Sequence, residues 1–137
     1  MPNIEAIQNA LQKQKLDGWL FYDILHRDPI AYRVLGLDHA MAKRRWFYMI
    51  PAMGSPRKLV HRIESAMLDS LPGEKILYAG REELTKGLAK LLSRGKKLAM
   101  QYSPDNKIPY LSMVDAGTVE LVRSFKKTVV TSAELVQ

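Results

Sequence analysis

Two unbroken apolar runs, residues 19–22 (Trp19, Leu20, Phe21, Tyr22) and 46–50 (Trp46, Phe47, Tyr48, Met49, Ile50), constrain this chain more than any other feature. Each is too short for a buried helix, and neither alternates with polar residues as a half-solvated strand does. Such a run suits a strand covered on both faces. A strand of that kind needs helices above and below it, and the intervening segments have helical spacing. Residues 3–15 place Ile4, Ala6, Ile7, Ala10 and Leu11 on one helical face, with Asn3 as N-cap. Asp17 and Gly18 end that helix, and the first apolar run follows.

Asp28 and Pro29 open a second helix, the aspartate as N-cap and the proline at the first helical position. It carries Ile30, Tyr32, Val34 and Leu35 and stops near Gly36. Residues 45–51 form the next strand, 53–56 a turn, and 58–62 the returning strand of a hairpin. A short helix is expected over 63–71, where Pro72 and Gly73 end it, and a strand over 75–78. A helix at 82–93, a strand at 97–102, a helix at 115–124 and a strand at 128–130 complete the pattern. Strands alternating with helices imply an α/β, three-layer fold: a mostly parallel mixed sheet of about five to six strands with helices on both faces.

A chain of 137 residues is one ordinary domain, long enough to bury roughly 70% of its unfolded surface. It has no cysteine, which removes disulfides, thiolate metal sites and a cysteine nucleophile together and fits a reducing compartment. The N-terminus has no basic segment leading into an apolar stretch, and no run approaches the length that spans a membrane. A cytoplasmic protein without a membrane partner is expected. Lysine and arginine outnumber acids 21 to 14, a net charge of +7, which raises an acidic partner as a question. The excess is scattered as Lys43-Arg44-Arg45, Arg57-Lys58, Lys96-Lys97 and Lys126-Lys127, each beside an apolar segment. Such short clusters read as solvated strand edges and helix ends. Trp46, Phe47 and Tyr48 beside the first cluster have the look of a single-strand nucleic-acid platform. Successive strand residues point to opposite faces, however, so at least one belongs to the core. No nucleic-acid partner is expected.

No glycine-rich phosphate loop, nucleophile elbow or His-Glu-x-x-His pair is present. The turn after the first strand, residues 22–28, frees no glycine amides for a nucleotide. Its His26-Arg27-Asp28 matches a kinase tripeptide, but the other kinase motifs are missing. With Asp23, these residues lie beyond the carboxyl end of the first strand, where open α/β sheets bind ligands. The competing reading has Asp28 as a helix cap with His26 and Arg27 solvated. His26, His39 and His61 have no ligand spacing; Asp38-His39 reads as a solvated loop and His61 as an edge residue. No metal and no cofactor are expected in this domain.

Three stretches carry a family resemblance. Residues 16–23 (Leu16, Asp17, Gly18 and the apolar strand), residues 30–36 with Tyr32 and Gly36, and residues 108–122 resemble the creatinase/prolidase N-terminal domain in order and spacing. The resemblance covers nearly the whole chain and implies that domain's fold, with its ribonuclease H-like motif, over residues 1–131. Residues 132–137 then read as the start of a linker to an absent C-terminal catalytic domain, and nothing after Val130 is expected to pack. In that family the catalytic domain binds two divalent metal ions (Mn, Co or Zn) through Asp, Asp, His, Glu and Glu, none of whose positions this chain contains. The resemblance therefore implies a non-catalytic piece of a metal-dependent Xaa-Pro aminopeptidase or dipeptidase. Its implied partners are its own catalytic domain, a second copy in a homodimer, and the parent's peptide substrate. Asp23, His26, Arg27 and Arg33 become candidates for substrate access or interface contacts. The alternative is a stand-alone basic α/β module binding an acidic ligand or nucleic acid.

Overall fold

The computed structural model describes residues 2–37 and 42–136. Asp38 and His39 lie outside the described residues. The elements run α1 (Ile4–Lys13), β1 (Gly18–Asp23), α2 (Pro29–Leu35), β2 (Trp46–Pro51), β3 (Arg57–His61), β4 (Glu74–Tyr78), α3 (Gly80–Leu91), β5 (Lys97–Met100), α4 (Ala116–Arg123) and β6 (Thr128–Thr131). Both apolar runs are strands. Asn3 caps α1 by accepting from Ala6 N, and Asp28 caps α2 by accepting from Ala31 N. Pro29 opens α2, and Gly36 ends it in the left-handed conformation that glycine adopts without strain.

The six strands form one sheet in the order β4-β3-β2-β1-β5-β6. Only β2 runs against its neighbours: it is antiparallel to β1 and β3, while β3 with β4, β1 with β5, and β5 with β6 are parallel. Opposite registers such as Trp19 with Ile50 and Phe21 with Tyr48 send these four side chains to one face. There they meet Leu11 of α1 and Ala31, Tyr32 and Leu35 of α2. The intervening Leu20, Phe47 and Met49 go to the other face, against Leu84, Leu88 and Leu91 of α3 and Val119 and Val122 of α4. This period of two, buried both ways, explains why the runs show no polar alternation. Trp46, Phe47 and Tyr48 are all buried, each large side chain contributing about 1.5–3 kcal/mol, so none offers a face for base stacking.

The structure corrects four expectations. His61 is not on an edge strand, because β4 adds in parallel outside β3. Residues 63–71 do not form an α-helix: Arg62–Glu64 is a 3-10 turn, and bonds such as Met67 N to Glu64 O and Leu71 N to Leu68 O keep the short i→i+3 pattern. The carbonyls of Leu68 and Leu71 also accept from Lys58 Nζ, at 3.0 and 2.6 Å. Lys58, read as half of a solvated basic pair, is therefore buried, and burial pushes its ammonium below the usual lysine range. Finally, the chain after β6 does pack: Ser132 is buried, and Leu135 and Val136 lie against the α1–α2 core.

Candidate functional site

All five parallel strands deliver their carboxyl ends to one edge of the sheet, and the sequence-predicted residues gather there around a buried polar network. Asp23, the last residue of β1, is 1% exposed. Its Oδ1 accepts from the backbone N–H groups of Arg27 and Asp28 at 2.7 and 2.8 Å, and its Oδ2 from the Tyr32 hydroxyl at 3.0 Å. Asp28 accepts from Ala31 N through Oδ1 and from Gln101 Nε2, at 2.7 Å, through Oδ2. The Gln101 carbonyl oxygen in turn accepts from Trp19 Nε1 at 2.8 Å and from Ser132 Oγ at 3.0 Å. One glutamine, just after β5, thus ties the start of β1, the start of α2 and the residue after β6.

Burial raises Asp28's pKa above its ordinary value, with the hydrogen bonds from Gln101 and Ala31 opposing that shift. Burial, followed by the Asp23 charge, also pushes the Tyr32 phenol well up. The two carboxylates do not resemble an acid–base pair awaiting a substrate, because every oxygen already has a donor. Their chemistry is to hold a loop.

That loop is strained. Leu25 and His26 both have positive φ, 58° and 55°, a conformation costing a bulky residue of order 1–3 kcal/mol. Leu25 N bonds Ala42 O at 3.1 Å, and Asp23 clamps the amides on the far side. The result leaves Leu25 54% exposed and lays the exposed His26 imidazole flat on Tyr32, with centroids 3.8 Å apart and planes 5° from parallel. Arg27 is exposed too, and its charge reaches Asp115 at the start of α4. Burial pushes the Asp115 carboxyl up, but hydrogen bonds from the Thr118 hydroxyl and N–H, with the Arg27 charge, bring it below the usual range. Arg33 sits apart, exposed in the last turn of α2. The structure therefore brings Asp23, His26 and Arg27 to one loop and leaves Arg33 outside it.

Gln101, Trp19 and Ser132 were not visible as site residues in the sequence. The one local signal was a glutamine closing an apolar strand, and its partners lie 82, 73 and 31 residues away. Among the described residues, no three of His, Cys, Asp and Glu converge to hold a metal ion, so no step here is routed through one. No described helix is long and apolar enough to cross a membrane.

The fold has counterparts among solved structures. The creatinase/prolidase N-terminal domain of an X-Pro dipeptidase from Streptococcus pyogenes superposes with a TM-score of 0.72 at 13% identity, over 98% of this chain and 95% of that one. The fold is that of a creatinase/prolidase N-terminal domain. A proline dipeptidase structure from Streptococcus pneumoniae matches 100% of the chain and 96% of its own length, with a TM-score of 0.67 at 17% identity. The prolidase from Pyrococcus horikoshii matches with a TM-score of 0.65 at 16% identity, over 97% of this chain but 33% of the prolidase. The chain thus spans about a third of that relative, and identities this low establish the creatinase/prolidase N-terminal fold alone. No protein-family model matches the sequence, and no curated protein does.

Proposed function

We propose that this chain is the non-catalytic N-terminal domain of a metal-dependent Xaa-Pro peptidase of the aminopeptidase P or prolidase kind. The carrying observation is the superposition on a complete N-terminal domain of an X-Pro dipeptidase, end to end in both chains. On this reading the two divalent ions (Mn, Co or Zn) and the hydrolytic chemistry belong to a C-terminal catalytic domain, and this domain contributes oligomer contacts and access to the active site. The loop at residues 24–27 is the segment suited to the second task. Its two left-handed residues maintain an exposed leucine and an exposed imidazole stacked on Tyr32 at a cost in backbone strain.

The test is enzymatic. The 137-residue chain should release no proline from a Xaa-Pro dipeptide with or without added Mn²⁺, while the full gene product containing it should do so in a metal-dependent way. Turnover by the short chain, or none by the full product, overturns the proposal. In the full product, the His26→Ala/Arg27→Ala double variant should raise KM with little change in kcat, and unchanged kinetics remove the access role. The stand-alone module remains the second reading because of the net charge of +7 and the cleft described next.

A further inference from the structure

The same carboxyl edge holds a second feature on the β2-β3-β4 side, bordered by Ile24 of the Asp23 loop. An open cleft of about 290 Å³ is lined by Lys43, Arg44, Arg45, His61, Tyr78 and Arg81, with Ile24 and Gly80 completing its wall. The three cations in a row precede β2. His61 and Tyr78 end β3 and β4, and Arg81 belongs to the first turn of α3. Parallel pairing of His61 with Tyr78 brings the ends of β3 and β4 onto one wall.

Four cations line this cleft, with Glu64 beside them and Glu82 and Glu83 in the first turn of α3. Glu64 accepts from the N–H groups of Lys43 and Arg44 at 2.8 and 3.0 Å and lies 3.9 Å from the Arg44 guanidinium, so it shapes the segment and offsets one charge. Among the described residues, no ion pair includes Lys43, Arg45 or Arg81. Glu83 is turned to Ala79 N and to Arg62. Two further features border the same space. His61 Nδ1 accepts from Ile63 N at 3.1 Å, so the neutral ring carries its proton on Nε2. Helix α3, 12 residues long, begins at Gly80 with no side-chain cap bond; its first-turn amides and dipole favour negative charge, which Glu82 and Glu83 supply in part.

We propose that this cleft binds a small phosphate-bearing molecule carrying at least two negative charges. A monoanion would leave most of the uncompensated cations unmatched, whereas a diphosphate or phosphate ester meets several at once, and guanidinium groups bind phosphate oxygens in bidentate fashion. The volume lies at the small end of ligand sites. A nucleic-acid strand fits poorly, because the aromatic ring Tyr78 is buried and its hydroxyl is committed to Arg45 O at 2.6 Å, leaving no platform for a base.

Inorganic pyrophosphate is the probe, titrated by calorimetry into the 137-residue chain at constant ionic strength. Saturable one-to-one binding is expected, with amide shifts centred on Gly80 and Arg81 in the wild-type NMR spectrum. The Lys43→Gln/Arg81→Gln variant, both positions exposed, should bind about tenfold more weakly or worse. The Lys96→Gln/Lys126→Gln control, at the opposite ends of the strands, should bind as the wild type does. Non-saturable binding, no shift at Gly80 and Arg81, or equal weakening by the two double variants overturns the proposal. So does a single-stranded oligonucleotide that pyrophosphate fails to displace from the same residues. The measurement involves no peptidase activity, so its result stands apart from that of the proposed function.

Discussion

Replacing Gln101 by leucine removes the hub of the buried network at nearly constant volume. Three groups lose their partners at once: the Trp19 indole N–H, the Ser132 hydroxyl and one oxygen of Asp28. These residues are 1%, 0% and 3% exposed, so water does not readily replace what is lost. Each stranded polar group costs about 1–3 kcal/mol. Allowing for re-aiming of the serine hydroxyl and the apolar gain of leucine, the loss comes to about 3–5 kcal/mol. A domain of this kind has a total stability of roughly 5–15 kcal/mol, so the urea midpoint should fall by a large fraction with an unchanged m-value. A second variant, Gln101→Glu, keeps the acceptor for Trp19 and Ser132 but sets a carboxyl group against Asp28 in place of a donor. Two carboxylates so placed retain a shared proton, raising the pair's titration in the folded state above the unfolded one. Stability should then rise as pH falls from neutrality towards the ordinary carboxylate range, and be lost as pH rises through the raised folded value. The wild type has the same sign, more weakly, through Asp28 itself. A loss below about 1 kcal/mol for Gln101→Leu, or a Gln101→Glu variant with the wild-type pH profile, would refute the account of the network.

Other perturbations follow from single contacts. Asp17 Oδ2 accepts from Lys96 N and Lys97 N, both at 2.8 Å, and these bonds, Lys97 first, hold its carboxyl below the ordinary value of 3.8. Its stabilising contribution is present above 3.8 and is lost as pH falls towards the lowered value. Asp17→Asn should flatten the acid limb of thermal unfolding followed by circular dichroism; an unchanged limb counts against the assignment. Gly73 has φ +120° and a backbone on which a Cβ would run into the Pro56 carbonyl, while Gly80 has φ +80° and open space around it. Gly73→Ala should therefore cost more than the ~1–2 kcal/mol expected of Gly80→Ala from backbone conformation alone, and equal urea midpoints contradict that ordering. Lys58→Ala strands the Leu71 carbonyl and leaves the Leu68 carbonyl with Leu71 N alone, costing about 1–3 kcal/mol. Exposed Lys86→Ala, which breaks only a surface pair with Glu82, should change stability by under about 0.5 kcal/mol.

What could be read from the residues was what neighbours in sequence decide. The Asp28-Pro29 start and Gly36 stop of α2 rest on local backbone chemistry, and both apolar runs declared that two layers cover them. Residues 63–71 misled for a physical reason. Leu68 and Leu71 are buried while Ile63 is 72% exposed, and a lysine from β3 holds the Leu68 and Leu71 carbonyls, which the last turn of a helix would have left without partners. The site divides in the same way. Asp28 announced itself as a cap, but Asp23 gained its meaning from a loop whose shape depends on left-handed φ angles at Leu25 and His26. The Gln101 hub needed contacts across most of the chain. The basic cluster at residues 43–45 was plain in the sequence, yet it reads as surface solvation until β3–β4 pairing sets His61 and Arg81 across from it.

The position of β1 sets a timetable for a chain emerging from the ribosome. β1 is made early, but it is flanked by β2 on one side and by β5 on the other. Its indole partner Gln101 and the amides that Asp17 binds come roughly 80 residues later. While β2 can close against β1, and β3 against β2, as they appear, the far side of Trp19 and Leu20 stays bare until β5 emerges. A nascent chain halted before that point presents an unpaired apolar strand edge, the form most prone to pair with another copy of itself. The strand that organises the finished sheet is thus also the one longest in need of protection during synthesis.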